Sequence, residues 1–193
     1  MDKNDVIAFF DSLAADWDAG MIKDEEVIER ILDNVCVRQG KTVLDVACGT
    51  GVMIPYYLER GASFITAIDI SPKMCEIASD KFRNENVKII CDDVVEHDFK
   101  EKFDCILVYN AFPHFDDPEA LIKKLSELLN DGGMLSVAHG MSREKILAHH
   151  ENVKHVSKAL PEVEELKRLF EKYLSVTVSI FDQRMYQVVG RKS

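Results

Sequence analysis

No stretch of this 193-residue chain approaches the ~20 consecutive apolar residues that span a bilayer. The opening Met1-Asp2-Lys3-Asn4-Asp5 lacks the basic start and apolar run of a secretory leader, so a cytoplasmic location is expected. Cations are also short: 24 Lys and Arg stand against 34 Asp and Glu, a formal charge of −10. Tracking nucleic acid needs clustered Lys and Arg to neutralise phosphates, and no basic stripe is present. The pair Lys123-Lys124 sits beside acids in a helical pattern and reads as a solvated face. Five cysteines (Cys36, Cys48, Cys75, Cys91, Cys105) are odd in number, widely spaced and free of any C-x-x-C pair. That excludes a recognisable zinc or disulfide framework, and their mostly apolar neighbourhoods read as buried thiols. No repeat, linker or low-complexity tract divides the sequence, so one domain over residues 1–193 is expected, with a substantial core.

What the chain does have is a dense central run, Val43-Leu44-Asp45-Val46-Ala47-Cys48-Gly49-Thr50-Gly51. Residues 43–46 form a short aliphatic segment of the kind a buried parallel strand requires. They lead into Gly49-Thr50-Gly51, after which helical spacing resumes at Met53-Ile54-Tyr57-Leu58. A strand, a glycine turn and a helix start let backbone approach a ligand closely, with N–H groups aimed at it. The carboxylate of Asp45 falls at the same crevice. The dinucleotide pattern G-x-G-x-x-G fails, because Ile54 stands where its third glycine belongs. The pattern present is D-x-A-x-G-x-G.

Val6, Ile7, Phe9, Phe10, Leu13 and Trp17 mark one face of a helix over residues 4–20. Val27, Ile28, Ile31 and Leu32 mark a second over 25–35. Phe64 to Asp69 is the second strand, and Ser71-Pro72 opens the helix behind it with a cap and a proline. Asp69 closes that strand, where an acid can accept both hydroxyls of a ribose. Capping is the other reading of Asp69, but Ser71 already supplies a cap. A third strand over 87–91 ends in Asp92-Asp93, and a fourth over 104–109 is followed by Asn110-Ala111-Phe112-Pro113-His114-Phe115. A helix starting at Asp117-Pro118-Glu119 is expected to run through Leu128-Leu129 to Asp131-Gly132-Gly133, with the fifth strand at 134–138. A polar, histidine-rich helical insert follows at 142–158, then an amphipathic helix over 161–174. Residues 176–180 and 185–189 alternate as an antiparallel pair. Strands alternating with helices give a parallel sheet covered on both faces, with a crevice at the strand C-terminal ends. Asp45, Asp69, Asp92 and Asn110 all fall at such ends.

The D-x-A-x-G-x-G turn resembles the first motif of class I S-adenosylmethionine-dependent methyltransferases, and Asp69 stands at the family's second-motif position. The resemblance covers roughly residues 9–190 and is to the small-molecule, ubiquinone-biosynthesis-like type. It implies a Rossmann-like, doubly wound α/β fold of seven mostly parallel strands with an antiparallel last strand. It also implies N-terminal helices (1–38) over the cofactor cleft and a helical insert or lid at 139–160. The implied cofactor is S-adenosylmethionine, held by Trp17, Asp45, Ala47, Gly49, Gly51, Asp69, Ile70, Asp92, Asp93 and Asn110. Asp69 would take the ribose. Asp92 would take the exocyclic amine of adenine, or Asp93 if the register slips by one.

The acceptor is less legible, because methyl transfer from a sulfonium needs alignment and water exclusion more than acid–base groups. Tyr109, His114, His139 and His149 are the substrate-side candidates. His114 follows the fourth strand closely and has the near-neutral pKa of a base, although a locally bonded loop histidine is the other reading. His149 and His155 do not share a helix face and His150 points away from His149, so no metal site is expected. The activity expected is methyl transfer to a small molecule at O, N, S or C. The alternative is a catalytically silent cofactor-binding domain in regulation or scaffolding, against which the three intact acids argue. No N/D-P-P-Y/F tetrad follows the fourth strand, which with the acidity disfavours nucleic-acid substrates. No membrane partner is expected, and the oligomeric state leaves no signal.

Overall fold

The computed structural model describes residues 1–20, 23–150 and 155–193, and all their side chains except those of His149 and His150. Two helices lead, α1 (Lys3–Leu13) and α2 (Glu25–Asn34). Strands and helices then alternate: β1 (Thr42–Val46), α3 (Ile54–Glu59), β2 (Phe64–Asp69), α4 (Pro72–Lys81) and β3 (Val87–Cys91). The second half runs β4 (Phe103–Tyr109), α5 (Pro118–Glu127), β5 (Leu129–His139), α6 (Arg143–His150), α7 (Val163–Phe170), β6 (Ser175–Phe181) and β7 (Tyr186–Arg191).

The seven strands form one sheet in the order β3-β2-β1-β4-β5-β7-β6. The pairs from β3 through β5 are parallel, whereas β7 runs antiparallel to both β5 and β6. This is the α/β fold with an antiparallel last strand. The chain winds outward from β1 to β3 and then crosses back to lay β4 on the other side of β1. Between β1 and β4 the connections diverge, and a crevice opens above the strand ends.

Each face of the sheet is covered by the apolar stripe of its helices. On one side Ile28, Ile31, Ile54 and Tyr57 cover Val43, Ile65 and Leu107. On the other, Leu121, Ile122, Leu125, Leu166 and Phe170 cover Leu44, Ile106, Val108 and Val137. Helix starts follow the chemistry of their caps: Asp24 accepts from Val27, Ser71 from Met74 and Asp117 from Ala120. Pro55, Pro72 and Pro118 each fall in a first turn, where the missing N–H costs nothing.

Several boundaries differ from the sequence expectation. The first helix stops at Leu13, and a 3₁₀ turn over Ala14–Asp16 delivers Trp17. Tertiary bonds beyond the turn redirect the chain: Asp18 accepts from the Thr50 hydroxyl at 2.6 Å and pairs with Lys81. The fifth helix ends at Glu127, so Leu128-Leu129 is not its last turn. Phe103 donates to the Leu128 carbonyl at 2.9 Å and Leu129 pairs with Phe103 across the sheet, which overrides the local helical pattern. Of the cysteines, Cys48, Cys75 and Cys105 are buried but Cys91 is exposed, because β3 is an edge strand. No helix among the described residues is long and apolar enough to cross a membrane.

Candidate active site

A cavity of about 430 Å³ occupies the crevice above β1, β2, β3 and β4. Its floor is built by chain reversals at the strand ends. Ala47 after β1 and Asn110 after β4 both take left-handed backbone conformations, at φ 55° and 54°. For a residue with a Cβ that conformation costs on the order of 1–2 kcal/mol, and such strain collects where a ligand dictates backbone shape. Asn110 offsets part of it, since its Oδ1 accepts from Gly140 N at 3.0 Å. Gly49, at φ 55°, turns its N–H to Asp69 Oδ2 at 2.8 Å. A Cβ on Gly49 would make only an ordinary contact with Trp17 Nε1 at 3.5 Å, so it is the left-handed backbone that favours glycine here.

Asp69 also accepts from Ser71 N at 2.9 Å through its other oxygen. Burial raises its pKa, while the N–H groups of Ser71, Gly49 and Ile70 pull it back. Asp45 is more deeply buried, and desolvation lifts its carboxyl to about 7. The Tyr57 hydroxyl opposes that shift and the nearby Asp69 charge adds to it. Asp45 Oδ2 and the Tyr57 hydroxyl are buried without a hydrogen-bond partner among the described residues.

At the far end of the cleft, Asp92 and Asp93 follow β3. Asp92 Oδ2 lies 2.8 Å from His97 Nδ1, and Asp93 Oδ2 pairs with Lys3 Nζ at 2.6 Å. Lys3 belongs to α1, which lies across the opening with Val6, Phe10 and the following Trp17 lining it. The helix is tied down along its length. The Met1 ammonium meets Asp116 at 2.9 Å, Lys3 also meets Glu96, and Asp11 accepts from Ser71 Oγ at 2.5 Å. Phe10 stands edge-on to both Trp17 and His114 at 5.8 and 4.9 Å between centroids.

His114 lines the cavity, and its Nδ1 lies 2.7 Å from the Val156 carbonyl oxygen. A carbonyl can only accept, so Nδ1 carries the hydrogen. Burial lowers the His114 pKa against that bond, so the ring is neutral at neutral pH. Tyr109 is half-buried, and desolvation raises its pKa. Its hydroxyl would lie 2.5 Å from a Cβ on Gly140, so a larger residue there would push the Tyr109 ring aside.

The cleft brings together Trp17, Asp45, Ala47, Gly49, Asp69, Ile70, Asp92, Asp93, Tyr109, Asn110 and His114. Gly51 and His139 are not among its lining residues. Gly51 faces the Phe82 ring instead, and His139 is buried at the end of β5 with Tyr186 edge-on at 6.0 Å. The side chain of His149 lies outside the described residues. Sequence reasoning missed Lys3, Val6 and Phe10 of α1, together with Met74 and Phe115. The apolar face of α1 was visible, but the ion pairs that orient it span some 90 residues or more, and no local pattern signals them. Among the described residues no group of three or more His, Cys, Asp or Glu is placed to hold a metal ion.

The doubly wound sheet, with a glycine turn after β1 and acids closing β2 and β3, is a Rossmann-like α/β fold that solved methyltransferases share. Residues 43–133 match a family described as "methyltransferase domain". A curated relative, malonyl-[acyl-carrier protein] O-methyltransferase of Acetivibrio thermocellus, is 32% identical over 139 residues, covering 70% of this chain and 49% of the relative. The chain thus spans about half of that relative's length. Among solved structures, a methyltransferase in complex with the Haloferax volcanii Trm112 activator is similar at a TM-score of 0.81, with 20% identity and 96% of each chain covered. The N-methyltransferase NodS of Bradyrhizobium japonicum, solved with S-adenosylhomocysteine, gives a TM-score of 0.76 at 17% identity, covering 97% of this chain and 98% of NodS.

Proposed function

We propose that this protein transfers a methyl group from S-adenosylmethionine to a small-molecule acceptor. The observation that carries this reading is the meeting of Asp45, Gly49, Asp69, Asp92 and Asn110 on the wall of one cavity roofed by α1. The residues suit that cofactor. The orphaned, buried Asp45 oxygen answers a cationic end, and the open face of Gly49 admits close backbone approach. The oxygens of Asp69, each already accepting one N–H, have lone pairs left for ribose hydroxyls. Asp92, just past β3 and lining the cleft, would take the exocyclic amine of the base, while the Asp93 carboxylate is paired with Lys3. Trp17 and Asn110 also line the cleft.

The bound cofactor supplies an activated, electrophilic methyl group. The chain's own work is to fix the nucleophile in line and keep water out. Phe10, Trp17 and Val6 provide the apolar roof for that exclusion. His114, neutral and oriented by Val156, would serve as the base for an acceptor that must lose a proton. We assign Tyr109 to the acceptor wall. The described parts of the insert are anchored, since Ile146, Val156 and Leu160 are buried and Lys158 N donates to Pro113 O at 2.7 Å. We read the insert as a wall of the acceptor pocket.

A cavity of this size under a helical roof suits a compact acceptor. The relatives named above include both an O- and an N-methyltransferase, so the test must span both atoms. Incubating the protein with S-adenosylmethionine and a panel of small carboxylic acids, phenols, amines and thiols should release S-adenosylhomocysteine with one chemical class. Cofactor binding without turnover on any class would point to a binding domain instead.

A further inference from the structure

One side chain beside the cleft is committed to a cleft carboxylate. His97 lies just past β3, with Nδ1 2.8 Å from Asp92 Oδ2. This contact, ahead of the Asp93 N–H, holds the Asp92 carboxyl below its usual range. An ionised carboxylate only accepts, so His97 Nδ1 is the donor. The imidazole is itself fixed from several directions. Its ring stands edge-on to Phe99 at 4.6 Å, and Phe99 in turn meets Phe103 of β4 at 5.9 Å. The His97 N–H donates to Asp93 O at 2.8 Å, and its carbonyl accepts from Lys124 Nζ at 2.9 Å.

Asp92 Oδ1 meanwhile accepts the Asp93 N–H at 2.8 Å. Each oxygen of a half-exposed carboxylate is therefore held, and its plane is set without any ligand. Asp93 is differently employed, between Lys3 and the Val95 N–H. His97 does not line the cavity, whereas Asp92 does.

We propose that His97 is a positioning residue that fixes the plane of the Asp92 carboxylate, so that the cleft selects a 6-amino purine over a 6-oxo purine. The inference rests on reading the cleft as an S-adenosylmethionine site. An ionised carboxylate held in place accepts an N–H from the amine and meets the 6-oxo oxygen as acceptor against acceptor. A carboxylate free to rotate turns into solvent and loses that discrimination.

The test compares the affinities of S-adenosylhomocysteine and its inosine analogue by calorimetry. The unmodified protein should favour the adenine form by at least about tenfold, the scale of one charge-assisted hydrogen bond. His97→Phe keeps a ring against Phe99 but loses the donor, and should shrink the ratio to about threefold or less. His97→Asn places an amide nitrogen near the Nδ1 position and should restore it. In an Asp92→Ala background, His97→Phe should have no further effect on the ratio, which a merely structural role would not produce. The inference is overturned if His97→Phe retains the original ratio, or if its loss adds to that of Asp92→Ala. If the unmodified protein binds S-adenosylhomocysteine without discriminating, the inference falls and the cofactor reading stands. Failure to bind S-adenosylhomocysteine at all overturns both.

Discussion

The backbone N–H of Gly49 donates to the carboxylate of Asp69 at 2.8 Å, binding the turn after β1 to the end of β2. The glycine turn and the strand-end acid therefore act as one wall of the cleft. Replacing Asp69 by Ala removes the proposed ribose acceptor and leaves the Gly49 and Ser71 N–H groups without their carboxylate partner. Affinity for S-adenosylhomocysteine should fall by ~10- to 100-fold. A calorimetric titration checks this, and unchanged affinity would remove Asp69 from the site.

The buried Asp45 carries a pH signature. Its carboxyl sits at about 7 in the fold against an ordinary 3.8, so between those values the native state holds a proton that the unfolded chain releases. Stability therefore falls as pH rises through that window, and the loss persists above it. Asp45→Asn cannot ionise and escapes the penalty. The variant should match the parent near pH 4 and exceed it by about 2 to 4 kcal/mol at pH 8. Denaturant unfolding across pH measures the gap, and a gap independent of pH would contradict the assignment.

Gly51 stands one residue past Thr50 at φ 82°, and a Cβ there would lie 2.6 Å from the Phe82 ring. Its role in the structure is close approach to α4's end rather than lining the cleft. Gly51→Ala should cost about 2 to 4 kcal/mol, combining left-handed strain with overfilling. Thermal unfolding reads that loss, and a variant as stable as the parent would refute the close contact.

These two glycines mark how far the sequence could be read. The D-x-A-x-G-x-G spacing located the turn, because a strand, a glycine pair and a helix start leave a local signature. It did not separate Gly49, which faces the ligand space, from Gly51, which faces a ring 31 positions along. Likewise, strand-end acids were visible because apolar runs terminate abruptly at Asp69 and Asp92. Leu129 was misplaced because its pairing with Phe103 is a tertiary choice made against helical periodicity. His139 looked like a cleft residue from its place after an apolar run, but β5 extends through it and buries it.

His114 offers a test of chemistry apart from binding. His114→Asn retains a donor near the Nδ1 position for the Val156 carbonyl but removes the second ring nitrogen. With an acceptor that must be deprotonated, kcat should fall roughly a hundredfold while cofactor affinity stays within about threefold. Equal loss in both would make His114 a structural support of the cleft.

The most direct measurement is a calorimetric titration of S-adenosylmethionine and S-adenosylhomocysteine into the purified protein, with NADH as control. The arrangement of Asp45, Gly49, Asp69 and Asp92 predicts micromolar binding of both sulfur ligands and none of NADH. Binding of NADH, or of none of the three, would contradict it.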